Sequence, residues 1–191
     1  MIRQYMTNGI AKFSNAQIYQ HTNTSKVELM RVGQDLIPLD LGKNASRLYA
    51  STITAPDIPI KQLREGAYFY WWSKPLINYY HLMLDGVGCL WHYFELHKTI
   101  PNIKLLLNQT PRSGINKYPP FVFELLNLLD IDYELTDDTH QYESLYFGDT
   151  LCQDKQGKRQ KPRAEQYELL ERIIRRAHSS VHDIPQYEKI Y

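Results

Sequence analysis

The sequence predicts an α/β fold: a Rossmann-like three-layer unit with a mostly parallel sheet, preceded by a small β-rich N-terminal segment. Two patterns lead to this reading. Over residues 66–191, continuous apolar runs of strand length alternate with longer helical segments, as in "AYFYWW" (67–72) and "NIKLLLN" (102–108). Over residues 1–65 no long helical period occurs, and short β-forming runs are punctuated by "NG", "GQD" and "GKN". The chain therefore divides into a β-rich segment, 1–65, and a Rossmann-like unit, 66–191.

In order along the chain, "GIAKF", "QIYQ", "KVELMRV" and "LYAST" read as short strands. "APDIPIKQLREG" (55–66) holds two prolines and reads as a linker. "AYFYWW" is apolar on both faces, as a central parallel strand requires, and a helix over 78–98 follows it. "NIKLLLN" is a second buried strand, and "PPFVFELLNLLD" (119–130) a helix with proline in its first turn. "IDYELT" and "SLYFGD" are further strands. "KPRAEQYELLERIIRRAHSS" (161–180) is a long amphipathic helix, with Tyr167, Leu170, Ile173, Ile174 and Ala177 on one face. The basic stretch "QDKQGKRQKPR" (153–163) reads as an exposed loop.

With 191 residues the chain has room for one domain and a small appendage, and its hydrophobic fraction of 43% is enough for a core. Its net charge of +1 removes the usual electrostatic argument for nucleic acid. Fifteen tyrosines and three tryptophans suit a core, and also flat ligands such as sugar rings. Two cysteines, Cys89 and Cys152, form neither a disulfide framework nor a metal pattern, and read as reduced thiols. No signal peptide or transmembrane segment is visible, so the expectation is a cytoplasmic protein, with a peripheral membrane position left open.

The segment "INYYHLMLDGVGCLWHYFELHK" (77–98) carries the candidate chemistry. Asn78 is suited to cap a helix. At 100° per residue, apolar and aromatic side chains cover most of the helix, while His81, Asp85, Gly88, His92 and Glu95 share one narrow stripe. An ordinary wet face carries Lys and Glu; a His and an Asp one turn apart at the start of a helix after a buried strand point instead to a cleft. A carboxylate beside an imidazole can orient it and raise its basicity, or act as a base itself. Gly88 on the same stripe would admit a ligand or a neighbouring backbone.

No metal is expected, because His92 lies about 10 Å along the axis from Asp85 and one ion does not reach all three ligands. "DGVGCL" lacks the strand–loop–helix setting of a phosphate loop, and no nucleophilic serine elbow is present. "DDTH" (137–140) reads as a surface turn, with two acids and a His able to attract a cation. Lys74, just before Pro75, reads first as a solvated loop lysine, with an anion near the helix start as the alternative.

"NYYHLMLDGVGCLWHYFEL" resembles the signature of glycosyltransferase family 61, in which an Asn-Tyr-Tyr/Phe-His segment opens a helix and an Asp follows one turn later. Here those residues are Asn78, Tyr79, Tyr80, His81 and Asp85. The preceding "YFYWW" and the later "IKLLLN", "FVFELLNLLD", "EQYELLERIIRRA" and "YEKIY" fit the same arrangement, so the resemblance covers roughly residues 66–191. It implies the N-terminal, acceptor-side half of a two-domain GT-B-like enzyme. The Ile-Ser-Arg, Arg–Asn-Glu and glycine-rich segments of the family's second half are absent, and that half is expected to hold most nucleotide-sugar contacts.

The resemblance implies inverting sugar transfer from a nucleotide-sugar donor to a sugar acceptor in glycan or polysaccharide biosynthesis, without a cofactor or metal motif. Asp85 is then the candidate base and His81 its orienting partner, with the reverse assignment open. Asn78, Tyr79, Trp72, Lys74 and His92 are the candidate substrate-binding residues; Trp71, Trp72 and Tyr79 are suited to stack on an acceptor sugar, with core packing the stronger claim on at least two of the three. The apolar end "IPQYEKIY" suggests a chain cut before a second half, whether by truncation or because a separately encoded donor-binding half is a partner. The alternative is a non-catalytic glycan- or protein-binding module derived from such a half.

Overall fold

The computed structural model describes residues 9–20, 28–33, 35–38, 59–71, 74–109, 117–137, 139–149 and 164–180. Strand β4 is Gln62–Tyr70, and its last three residues, Tyr68, Phe69 and Tyr70, are buried on both faces of the sheet. Aromatic bulk on both sides leaves this segment no stable place but the middle of a sheet. It lies parallel to β5 (Lys104–Asn108) on one side and to β7 (His140–Gly148) on the other, and β5 is parallel to β6 (Tyr133–Thr136). A helical stretch over 79–99, α1, connects β4 to β5; α2 (Pro120–Leu128) connects β5 to β6. The two crossovers step in the same direction across the sheet, so the right-handed rule puts both helices on one face. The third helix, α3 (Ala164–Ser180), joins them there. Leu82, Leu90, Val122, Leu126, Leu169 and Ile173 share a single core with Phe69, Leu105 and Leu107.

A three-layer arrangement is therefore not what the described residues form: their helices cover one face only. The sheet is also mixed. Strands β1 (Ile10–Gln20), β2 (Glu28–Val32) and β3 (Asp35–Pro38) extend it antiparallel beyond β7, in the order β3-β2-β1-β7-β4-β5-β6. The boundary expected at 65/66 falls inside β4. The second half of the expected linker, "QLREG", is strand, because Gln62–Arg64 pair with His140–Tyr142. "GIAKF" and "QIYQ" belong to one strand, and "LYAST", "QDKQGKRQKPR" and "IPQYEKIY" lie outside the described residues. On α3 the buried face runs through Gln166, Leu169 and Ile173, while Tyr167 and Ile174 are exposed, a rotation from the apolar stripe read in the sequence.

Among the described residues, the second face is closed by the sheet itself. Asn15 sits at φ 52° and Gly66 at φ 98°, and the β4–β7 register slips between Arg64 and Ala67. The Gly66 amide donates to Glu143 Oε2 at 2.7 Å, and Gln141 Nε2 donates to the Asn15 carbonyl at 2.9 Å. The irregularities line up across β1, β7 and β4, and the buried side chains change parity there: Ala11 and Phe13 before the kink, Ala16 and Ile18 after it. Such bulges bend a strand and strengthen its twist. The Tyr142 hydroxyl of β7 donates to Thr136 Oγ1 of β6, although β4 and β5 lie between these strands. In a flat sheet they would stand about 14 Å apart. The sheet thus coils over itself and encloses Phe13, Ile18, Met30, Tyr70 and Phe147 in a second core. Burial pushes the Tyr142 phenol well above its ordinary pKa, which keeps it a neutral donor.

The Tyr142–Thr136 bond gives a direct check on this coiling. In a double-mutant cycle of Tyr142→Phe and Thr136→Val read by urea unfolding, the coupling is expected at about 0.5–1.5 kcal/mol. A coupling of zero would remove this bond as a support of the bend.

Candidate functional site

The site forms where β4 hands the chain to α1. Trp71, fully buried, ends the strand, and a 3₁₀ turn, Lys74–Ile77, leads to Asn78. Asn78 is extended (φ −129°, ψ 124°), and its Oδ1 accepts from the amides of Tyr80 at 3.0 Å and His81 at 3.3 Å. Both amides belong to the first turn, where no backbone carbonyl is available to them, so the asparagine satisfies them as an N-cap. Tyr79 and Tyr80 are exposed, and the Tyr79 ring meets Phe121 edge-on at 5.5 Å.

The helix does not continue as a regular α-helix. Leu82–Gly86 is π-helical, and the Val87 amide reaches back to the Leu82 carbonyl. A π turn is wider than an α turn and disturbs the carbonyl ladder, and such turns are frequent at functional sites. Two side chains from elsewhere answer for it. Trp71 Nε1 donates to the Gly86 carbonyl at 3.0 Å, and Gln166 Nε2 of α3 donates to the Leu84 carbonyl at 2.6 Å, with Met83 O at 3.4 Å. Gln166 is fully buried, and among the described residues its Oε1 has no hydrogen-bond partner.

Asp85 lies within the π turn and His81 just before it, with His81 Nδ1 and Asp85 Oδ2 3.0 Å apart. The two differ sharply in access: the His81 side chain is 44% exposed and that of Asp85 8%. An Nδ1–H donated to the carboxylate leaves Nε2 as the ring's proton-accepting position.

Of the rest of the expected polar stripe, Glu95 stays at the surface, paired with Lys98 at 2.5 Å, and the other two residues turn inward. Gly88 and His92 are buried, and His92 Nε2 lies 2.8 Å from Asp149 Oδ1, just past the end of β7. A Cβ at Gly148 would come within 2.7 Å of His92 Cδ2, and one at Gly9 within 2.8 Å of its Cε1. The Asp149 amide donates to the Gly9 carbonyl at 2.8 Å, and Cys89 Sγ to the Gly148 carbonyl at 3.3 Å. His92 thus pins α1 to the start of β1 and the end of β7, two turns along the helix from Asp85. Among the described residues, no three His, Cys, Asp or Glu side chains gather as a metal-binding group. Trp72 and the Lys74 side chain lie outside the described residues.

The "DDTH" turn is built around Asp137. Its Oδ1 accepts from the Thr139 amide at 2.8 Å, the Thr139 hydroxyl at 2.6 Å and His140 Nδ1 at 2.8 Å, while Arg64 approaches His140 Nε2 at 3.2 Å. Partial burial alone would raise the Asp137 pKa, but these bonds outweigh it and hold the carboxyl below its ordinary value. Asp138 lies outside the described residues.

Sequence reasoning missed Gln166 and Asp149. Both carry a local disguise: Gln166 reads as a surface residue of an amphipathic helix, and Asp149 as the polar end of a strand. Comparison with known protein families, curated proteins and solved structures finds no match to this chain. Among the described residues no helix is long and apolar enough to cross a membrane.

Two substitutions separate the pin from the π turn. Gly148→Ala drives a methyl into the His92 ring and is expected to cost about 1–3 kcal/mol by denaturant unfolding. Gln166→Leu removes the donor to the Leu84 carbonyl and is expected to cost a similar amount, about 1–3 kcal/mol. It should also speed amide hydrogen exchange through 82–87, and unchanged exchange there would show that the π turn stands without Gln166.

Proposed function

We propose that this chain is the acceptor-side part of an inverting, nucleotide-sugar-dependent glycosyltransferase acting in glycan or polysaccharide biosynthesis. The observation that carries the reading is the His81–Asp85 pair at the carboxyl edge of parallel strands, set at the capped start of a helix. Ligands of open α/β sheets bind at that edge. The Rossmann-like character of the parallel part and the resemblance of "NYYHLMLDGVGCLWHYFEL" to glycosyltransferase family 61 support the same reading.

The exposures favour His81 as the base and Asp85 as its partner, the reverse of the assignment placed first from sequence. An acceptor hydroxyl can approach a ring 44% exposed more readily than a carboxylate 8% exposed. In the proposed reaction the acceptor oxygen attacks the anomeric carbon on the face opposite the leaving group. The acceptor proton passes to His81 Nε2, and the bond to the nucleoside diphosphate breaks with its electron pair on the phosphate oxygen. Asp85 holds the ring by Nδ1 and stabilises the imidazolium that forms. Positive charge or dipoles for the leaving diphosphate come from a donor-binding half, as a further domain or a partner. Asn78 shapes the helix start, and Tyr79 offers an aromatic face to the acceptor ring.

A second reading, a glycan- or protein-binding module without chemistry, draws on the exposure of Tyr79 and Tyr80 beside the pair. Assay of the protein, together with any second half that its gene or a neighbouring gene encodes, against a panel of nucleotide sugars and acceptors separates the two. Transfer is expected to fall about 10²–10⁴-fold in His81→Ala, with Asp85→Asn lowering the rate as well. Transfer indifferent to both substitutions removes the proposed machinery. Acceptor binding without turnover establishes the module.

A further inference from the structure

A cavity of about 610 Å³ opens at the amino edge of the sheet, lined in part by the last turns of α1 and the starts of β5 and β6. His81 and His97 lie at opposite ends of α1, about 24 Å apart along its axis. The cavity is therefore separate from the pair at the carboxyl edge, and its volume lies within the usual range for small-molecule sites.

Its two aromatic rings are held from behind. Tyr133 packs on Phe123 with centroids 5.5 Å apart, and Tyr93 on Phe69 at 5.9 Å. A ring fixed by the core loses little freedom when a ligand stacks on it. Around the rings stand charged and polar groups. Lys104 is ion-paired with Glu134 across the neighbouring strands, and Asp130 with Arg176 at 2.5 Å. Asp132 has no ion pair among the described residues, and its charge, after burial, is the second cause that raises the Tyr93 phenol. Asn102 adds both a donor and an acceptor.

These groups discriminate among ligand classes. Three carboxylates oppose an anion. Lys104 and Arg176 offset two of those carboxylates, so the field falls short of what a bare cation needs. A neutral ligand with a flat C–H face and a rim of hydroxyls matches both the fixed rings and the mixed donors and acceptors. We propose that this groove is a saccharide-binding subsite, with Tyr133 as the stacking face and Asp132 and Asn102 as hydroxyl partners. The inference stands apart from the proposed activity; if that activity holds, the subsite grips an acceptor glycan away from the reacting end.

The test is an NMR-detected titration of the protein with neutral mono- and disaccharides, with spermidine and inorganic phosphate as charged controls. At least one saccharide is expected to saturate and to shift resonances around Lys104 and Tyr133. Binding should weaken at least tenfold in Asp132→Ala and in Tyr133→Ala, both exposed positions, and persist in His81→Ala. Saturation by spermidine or phosphate alone, no saccharide binding, or saccharide binding indifferent to Asp132→Ala and Tyr133→Ala would overturn the proposal. Loss in His81→Ala with retention in both groove variants would place the sugar at the other edge instead.

Discussion

The Leu82–Gly86 turn depends on hydrogen bonds that its own helix does not supply. A π turn set into a helix displaces carbonyls from the regular ladder, and a buried carbonyl without a donor is costly. Trp71 closes the turn from the end of β4, and Gln166 closes it from α3. Strand, first helix and last helix thus meet at one irregular turn, and Asp85 is built into it. A regular α-helix would need neither donor and would present Asp85 at a different angle to His81. The position of the carboxylate is therefore a property of the tertiary structure, although its neighbour is four residues away in sequence.

The same division of labour runs through the sheet. On one face, helices supply the covering layer in the usual way of parallel strands. On the other, the sheet bends at Asn15, Gly66 and Glu143 and covers itself, with polar links such as Tyr142–Thr136 and Asn108–Tyr70 buried inside the bend. Each of those hydroxyls and amides finds its partner on another strand. The second core thus holds these four polar side chains with each hydrogen-bonded to another.

Much of this was legible where a pattern is local. "AYFYWW" and "NIKLLLN" declare buried strands by continuous apolarity, Asn78 declares a helix start, and the spacing of His81 and Asp85 places them within reach of each other. What escaped depends on long-range contact. The stripe of His81, Asp85, Gly88 and His92 is one face by periodicity, but only the fold reveals that His92 is pinned by Asp149 between Gly9 and Gly148. "QLREG" looks like linker because it follows the two prolines of "APDIPIK", and it is strand because β7 is there to pair with it. The coiling of the sheet has no sequence signature beyond isolated residues such as Gly66 and Asn15, whose left-handed φ reads as an ordinary turn until three strands bend together.

The pairing of β1 with β7 also ties distant parts of the sequence together. Ile10 pairs with Gly148, whereas β1 with β2 and β2 with β3 are local pairings. Strands β4, β5 and β6 and helices α1 and α2 all lie between β1 and β7 in the sequence. A ladder of such sequence separation raises contact order, so the step that joins β1–β3 to the parallel strands is expected to be slower than the local pairings.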